Sequence, residues 1–194
     1  MKYGELQLGQ IEAMVNKLGG MDGVRKFLAG GLAISGSNTW PTWRTLAIGG
    51  VSRDEFLRRM KDRGIYVSDW ARNIMDNPGF TTLAKVKRVR LGRAKVSDLG
   101  FTTEPTTTEL FARIKEVGDL CPAEVGPHVR LDDRDQLHGT WYWIAMEPIT
   151  DSAGHPDVFS VDRGDDGEQW LDAYYADPAD RWDLSNVVVF LLRK

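Results

Sequence analysis

Disulfide chemistry is excluded at once, because Cys121 is the only cysteine in 194 residues and no internal bridge can form. Long apolar runs are missing as well. The longest, Val187–Leu192, falls far short of the roughly 18–20 residues a membrane-spanning helix requires. The opening Met1-Lys2-Tyr3-Gly4-Glu5 lacks the basic and apolar regions of a signal peptide. These absences lead to the expectation of a soluble, cytoplasmic protein without membrane contact. Cofactor signatures are missing too: there is no phosphate-binding Gly-x-x-x-x-Gly-Lys-Ser/Thr, no Gly-x-Gly-x-x-Gly, no Gly-x-Ser-x-Gly and no His-Glu-x-x-His. No cofactor is therefore expected.

Disorder is excluded by a composition of 42% hydrophobic and 27% charged residues, which can bury a core. Seven Trp and seven Phe supply much of it, with Trp40/Trp43, Trp141/Trp143 and Trp170/Trp182 falling in pairs and Trp70 standing alone. The net charge of −3 hides a strong asymmetry. Residues 1–131 hold 20 Lys/Arg against 14 Asp/Glu, a net of +6, while residues 132–194 hold 5 against 14, a net of −9. Such a division bears on partners and long-range fields rather than on fold.

Local signals predict a helix-rich first half. Leu8, Ile11, Val15 and Leu18 recur at helical spacing until Gly19-Gly20, and Asp22 is placed to cap a second helix that ends at Gly30-Gly31. Residues 40–48 read as a strand. Ser52 with Glu55 forms a capping box that opens a helix closed by Gly64, and Ser68 caps the next, which ends at Pro78-Gly79. Over residues 83–96, Val86 has one parity and Val89 and Leu91 the other, so a strand there requires a bulge. Thr106 with Glu109 opens a further helix, after a Thr-rich stretch, 101–110, that is the best candidate for a boundary between parts 1–100 and 101–194. Four strands are expected near 141–146, 158–161, 169–174 and 187–192, with Asp166-Gly167 as a hairpin turn. The predicted class is α+β, with a helix-rich N-terminal part followed by a C-terminal antiparallel β-meander.

Two groups of residues could carry chemistry. Lys85, Lys87, Arg88, Arg90, Arg93 and Lys95 put six positive charges into eleven residues. Such a run neutralises phosphates, or else it protects the edge of a sheet from pairing with another chain. The second group is acidic. In a four-strand meander, loops 147–157 and 175–185 share one rim, which brings Glu147, Asp151 and His155 opposite Asp177, Asp180 and Asp183. Carboxylates with a histidine suit a divalent cation, although Asp and Gly also form turns for their own sake.

The segments Cys121-Pro-Ala-Glu-Val-Gly-Pro127 and Ala145-Met-Glu-Pro-Ile-Thr-Asp-Ser152, with the closing Val187–Lys194 and Val67-Ser-Asp-Trp-Ala71, resemble a family of uncharacterised bacterial proteins. The resemblance covers most of residues 50–194 and implies a soluble bacterial protein. It brings no activity, cofactor or catalytic residue.

The leading functional expectation is a non-enzymatic binding module whose basic segment, 85–95, engages nucleic acid or an acidic protein. The alternative is a divalent-metal-dependent hydrolase built on the acidic loops. Self-association of the oppositely charged ends would also account for the asymmetry.

Overall fold

The computed structural model describes residues 8–30 and 40–193. The chain divides into two compact units, Met1–Asn38 and Thr39–Lys194. In the first, α1 (Leu8–Lys17) and α2 (Met21–Leu28) are joined through Gly19 and Gly20, whose φ values of 84° and 81° lie in the left-handed region. Asp22 does not cap α2. It sits in the first turn, Gly20 holds the cap position, and no side chain caps the helix.

The second unit is built on an eight-stranded sheet. In chain order its elements are β1 (Arg44–Ile48), α3 (Arg53–Asp62), β2 (Tyr66–Val67), α4 (Asp69–Asp76), β3 (Lys87–Lys95), α5 (Thr107–Val117), α6 (Val125–Asp132), β4 (Thr140–Ile144), β5 (Ile149–Thr150), β6 (Pro156–Arg163), β7 (Gln169–Tyr175) and β8 (Val187–Leu191). The sheet runs β1-β3-β8-β4-β6-β7-β2, with β5 added alongside β6. The class is α+β, but strands interleave with helices from the start of this unit. The stretch 101–110 lies inside it, tied down where the Trp182 N–H donates to the Pro105 carbonyl at 2.9 Å.

The expected four-strand antiparallel meander does not form. β4, β6 and β7 are consecutive antiparallel neighbours, whereas β8 crosses to the far side of β4 and pairs with it in parallel. On its other edge β8 meets β3 antiparallel. The reason lies in β8 itself, whose Val188, Val189 and Phe190 alternate in direction yet are all fully buried. A strand apolar on both faces belongs inside a sheet, not at the end of one. β3 is interior as well, so its lysines and arginines do not guard an edge. It needs no bulge, because Val86 precedes the strand and the register with β1 and β8 is unbroken.

Three helix starts are capped where local chemistry demands it. Ser52 and Ser68 accept from the N–H groups of Glu55 and Ala71 at 3.3 and 3.0 Å, and Thr106 with Glu109 makes a complete capping box. Pro127, which interrupts helical hydrogen bonding, is accommodated in the first turn of α6, where its missing N–H has no partner to lose. α6 lies so close to β6 that a Cβ on Gly126 would come within 2.7 Å of the Phe159 ring. A buried polar network pins the same helix. Fully buried Arg130 donates to the Gln136 amide oxygen (2.6 Å) and the Asp162 carbonyl (3.0 Å), and the Tyr142 hydroxyl donates to Asp133 (2.6 Å).

Candidate functional site

The feature that opens a site is the shortness of β2. Its two residues cover β7 only at Trp170 and Leu171. Past that point the chain turns into α4, because the Ser68 hydroxyl caps the helix while its N–H still donates to the Leu171 carbonyl at 3.0 Å. The edge of β7 beyond Leu171 therefore has no strand beside it, and α4 swings Trp70 to its flank. The result is a cleft of about 470 Å³ lined by Trp70, Asp151, His155, Asp157, Asp172 and Ala173–Tyr175.

Asp151 organises one wall. Its Oδ1 accepts from the N–H groups of Ala153 (2.8 Å) and His155 (2.7 Å), and its Oδ2 lies 3.3 Å from His155 Nδ1. The His155 amide above all holds this carboxyl below the usual aspartate range. Asp157, two residues beyond His155, is treated oppositely. It is only 4% exposed, and its Oδ2 is buried with no hydrogen-bond partner. Burial, reinforced by the charge on Asp151, raises its pKa to about 6. Neighbouring carboxylates are thus driven apart, one firmly ionised and one poised near neutrality. Carboxylates whose environments push their pKa values apart in this way cluster at functional sites.

The rim is aromatic. Trp70, Tyr174 and Tyr175 are each about half exposed, at 56%, 48% and 49%. The His155 ring meets Tyr175 edge to face at 5.6 Å, and the Tyr175 hydroxyl donates to Asp177 at 3.2 Å. Asp172 receives a hydrogen bond from the Ser68 hydroxyl and another from the Ala173 N–H at 2.7 Å. A second hollow of about 580 Å³ shares Asp172 and Tyr174 with the cleft and adds Trp141, Asp162 and Trp170. Asp162 accepts from the Ser160 hydroxyl at 2.6 Å, and burial raises its pKa to about 6. Aromatic faces beside carboxylates therefore recur across this part of the sheet.

Of the acidic residues singled out from sequence, only Asp151 and His155 line the cleft. Glu147 points elsewhere and pairs with Lys115 at 3.0 Å. Asp177 and Asp180 serve their own turn, Asp180 accepting from the Asp177 N–H at 3.2 Å, while Asp183 caps Ser185. The two loops do meet at one end of the sheet, where Asp157 pairs with Tyr175 and the Ala176 N–H donates to the Pro156 carbonyl at 2.7 Å, but these aspartates spend their oxygens within their own turns instead of facing Asp151. Among the described residues, no group of three or more His, Cys, Asp or Glu is placed to hold a metal ion.

The basic run is divided by strand alternation: Lys87, Arg93 and Lys95 project from one face of β3, Arg88 and Arg90 from the other, and Lys85 precedes the strand. Arg93 stacks over Trp43 and Tyr142 at 5.1 and 5.0 Å, and Arg90 donates to the Arg193 carbonyl. Asp157, Asp172, Trp70 and the two tyrosines were not visible as a site in the sequence. The isolation of Trp70 from the paired tryptophans was the one available sign. Comparison with family models, curated proteins and solved structures gave no match, so the cleft is interpreted from its own geometry.

Proposed function

We propose that this protein is a binding module whose cleft at the β7 edge takes an organic cation, a primary ammonium or guanidinium group. One observation carries this reading: a nearly buried carboxylate, Asp157, whose Oδ2 lacks any hydrogen-bond donor at the foot of an aromatic-walled cleft. An unpaired buried carboxylate is costly, and an incoming N⁺–H group would supply the missing donor and the missing charge together. Trp70, Tyr174 and Tyr175 would receive the cation's flanks through their ring faces. Asp151, already ionised, would add attraction without competing for the proton. Nucleic-acid binding through residues 85–95 has weaker support, because those charges are divided between two faces and Arg93 is committed to Trp43. A metal-dependent hydrolase has weaker support too, because only Asp151 and His155 of the acidic-loop residues line the cleft, and among the described residues no three His, Cys, Asp or Glu are grouped to hold an ion.

Isothermal titration calorimetry at pH 7.5 tests the reading, using n-butylamine, 1,4-diaminobutane and arginine methyl ester against sodium chloride at matched ionic strength. Saturable binding of at least one of these cations, lost in Asp157→Asn, is expected. Flat titrations with all three would overturn it.

A further inference from the structure

A third cavity, opposite in polarity to the cleft, lies among α3, α6 and β1. It measures about 410 Å³ and is lined by Arg59, Arg63, His128, Asp132 and Arg134, with Thr45–Ala47 of β1 along one side. The three arginines come from two places: Arg59 and Arg63 lie one turn apart at the C-terminal end of α3, and Arg134 lies in the loop after α6. All three are exposed. Two already make one commitment each, Arg59 to Glu55 at 2.6 Å and Arg63 to the Leu131 carbonyl at 2.9 Å. The Arg134 side chain donates to no described residue, although its carbonyl accepts from Arg163 at 3.1 Å. The one acid on the rim, Asp132, is held by Arg44 at 2.9 Å, an arginine it shares with Asp133 and Asp135.

His128 completes the set. Its Nε2 shares the Gly49 N–H (3.2 Å) with the buried Glu124 carboxylate (3.0 Å), which lies 3.6 Å from that nitrogen; the tautomer that accepts there carries its proton on Nδ1, from which no described residue accepts. Burial, with Arg59 beside it, lowers the pKa of His128 to about 4, so the ring is a neutral donor at physiological pH. Three guanidinium groups approaching from two segments, with a neutral N–H donor, match a tetrahedral anion. A planar carboxylate would occupy one guanidinium fork and leave the others idle.

The geometry points to a site for the phosphate group of a small phosphorylated molecule, held by Arg59, Arg63 and Arg134 and bounded by His128. It uses none of the residues of the cation cleft and stands independently of it.

The test is a titration with inorganic phosphate and with phenyl phosphate at constant ionic strength, followed through the His128 ring resonances and the melting temperature. A saturable shift of His128, an upward move in its pKa and a rise in melting temperature are expected. Arg134→Gln should weaken binding about tenfold while the unliganded protein melts as before, since this side chain holds nothing in the fold. Arg63→Gln should weaken it as well, with a lower starting melting temperature because the Leu131 carbonyl loses its donor. If neither phosphate nor phenyl phosphate acts differently from chloride, or if Arg134→Gln binds as tightly as the parent, the site does not exist. Binding of phenyl phosphate but not of inorganic phosphate would still uphold it, because the esterified group is the form proposed.

Discussion

In the cleft beside β7, carboxylates are sunk below aromatic rings, and one of them lacks a donor. Around α3, guanidinium groups stand in the open and most already hold a carboxylate, with Glu55 bridging Arg58 and Arg59 at 2.7 and 2.6 Å. The same kinds of charged side chain therefore do different work in the two regions. Burial without a partner raises the Asp157 pKa to about 6, whereas exposure among arginines lowers that of Glu55 to about 2. Density of charge does not identify a site. What matters is whether the charge is already satisfied.

The largest effect should come from removing what the two regions share. α6 carries His128 toward the basic cavity, and its Arg130 is bonded to the Asp162 carbonyl of β6, the strand that begins with the Asp157 segment. Arg130→Ala strands the Gln136 and Asp133 acceptors and opens a cavity. We expect a loss on the order of 3–5 kcal/mol in urea unfolding, with both ligand responses degraded. A loss confined to one region would show that they are structurally independent.

Asp157→Asn should separate the regions. Because the folded protein holds this proton more tightly than the unfolded chain does, ionisation lowers stability as pH rises from about 4 to about 6, and the deficit persists above that window. Asparagine removes it. The variant should be more stable than the parent by on the order of 1–2 kcal/mol at pH 7 and equal to it at pH 4, as measured by thermal melts across that range. It should bind no amine, while its response to phosphate stays unchanged.

Trp70→Ala should lower amine affinity by about three- to tenfold, which calorimetry would detect, and leave the melting temperature nearly unchanged, since half of the side chain is already in water. The smallest effect is expected at Glu55. Glu55→Gln scarcely alters stability, as exposed ion pairs contribute little, but it frees Arg59 and should tighten phosphate binding by about two- to threefold. Any stability this pair does add is present above the ordinary glutamate range and disappears as pH falls toward about 2.

How much of this was legible in the sequence depended on range. Ser52, Ser68 and Thr106 announce their helices because a cap needs only the next three residues. The positions of β4, β6, β7 and β8 were legible from their apolar runs, and Asp166-Gly167 from turn chemistry. Sheet order was not, because β8 owes its central place to burial on both sides, which depends on β3 in the other half of the chain. The site followed the same rule. Asp151 and His155 could be paired by eye, lying four residues apart in one turn. Asp157 could not, because its burial requires β5 on one side and β7 on the other. The run from Lys85 to Lys95 drew attention through its density, yet alternation along β3 disperses it. Of the arginines that do converge, Arg59 and Arg63 are neighbours one helical turn apart, but Arg134 joins them from 71 residues further on, which no local pattern reveals.

The most direct test of the central claim is the pKa of Asp157, read from its side-chain carboxyl carbon by NMR with and without a saturating amine. The account predicts about 6 in the free protein and a fall toward the ordinary aspartate range when the cation is bound. An ordinary aspartate value in the free protein, or a raised value indifferent to amine, would contradict it.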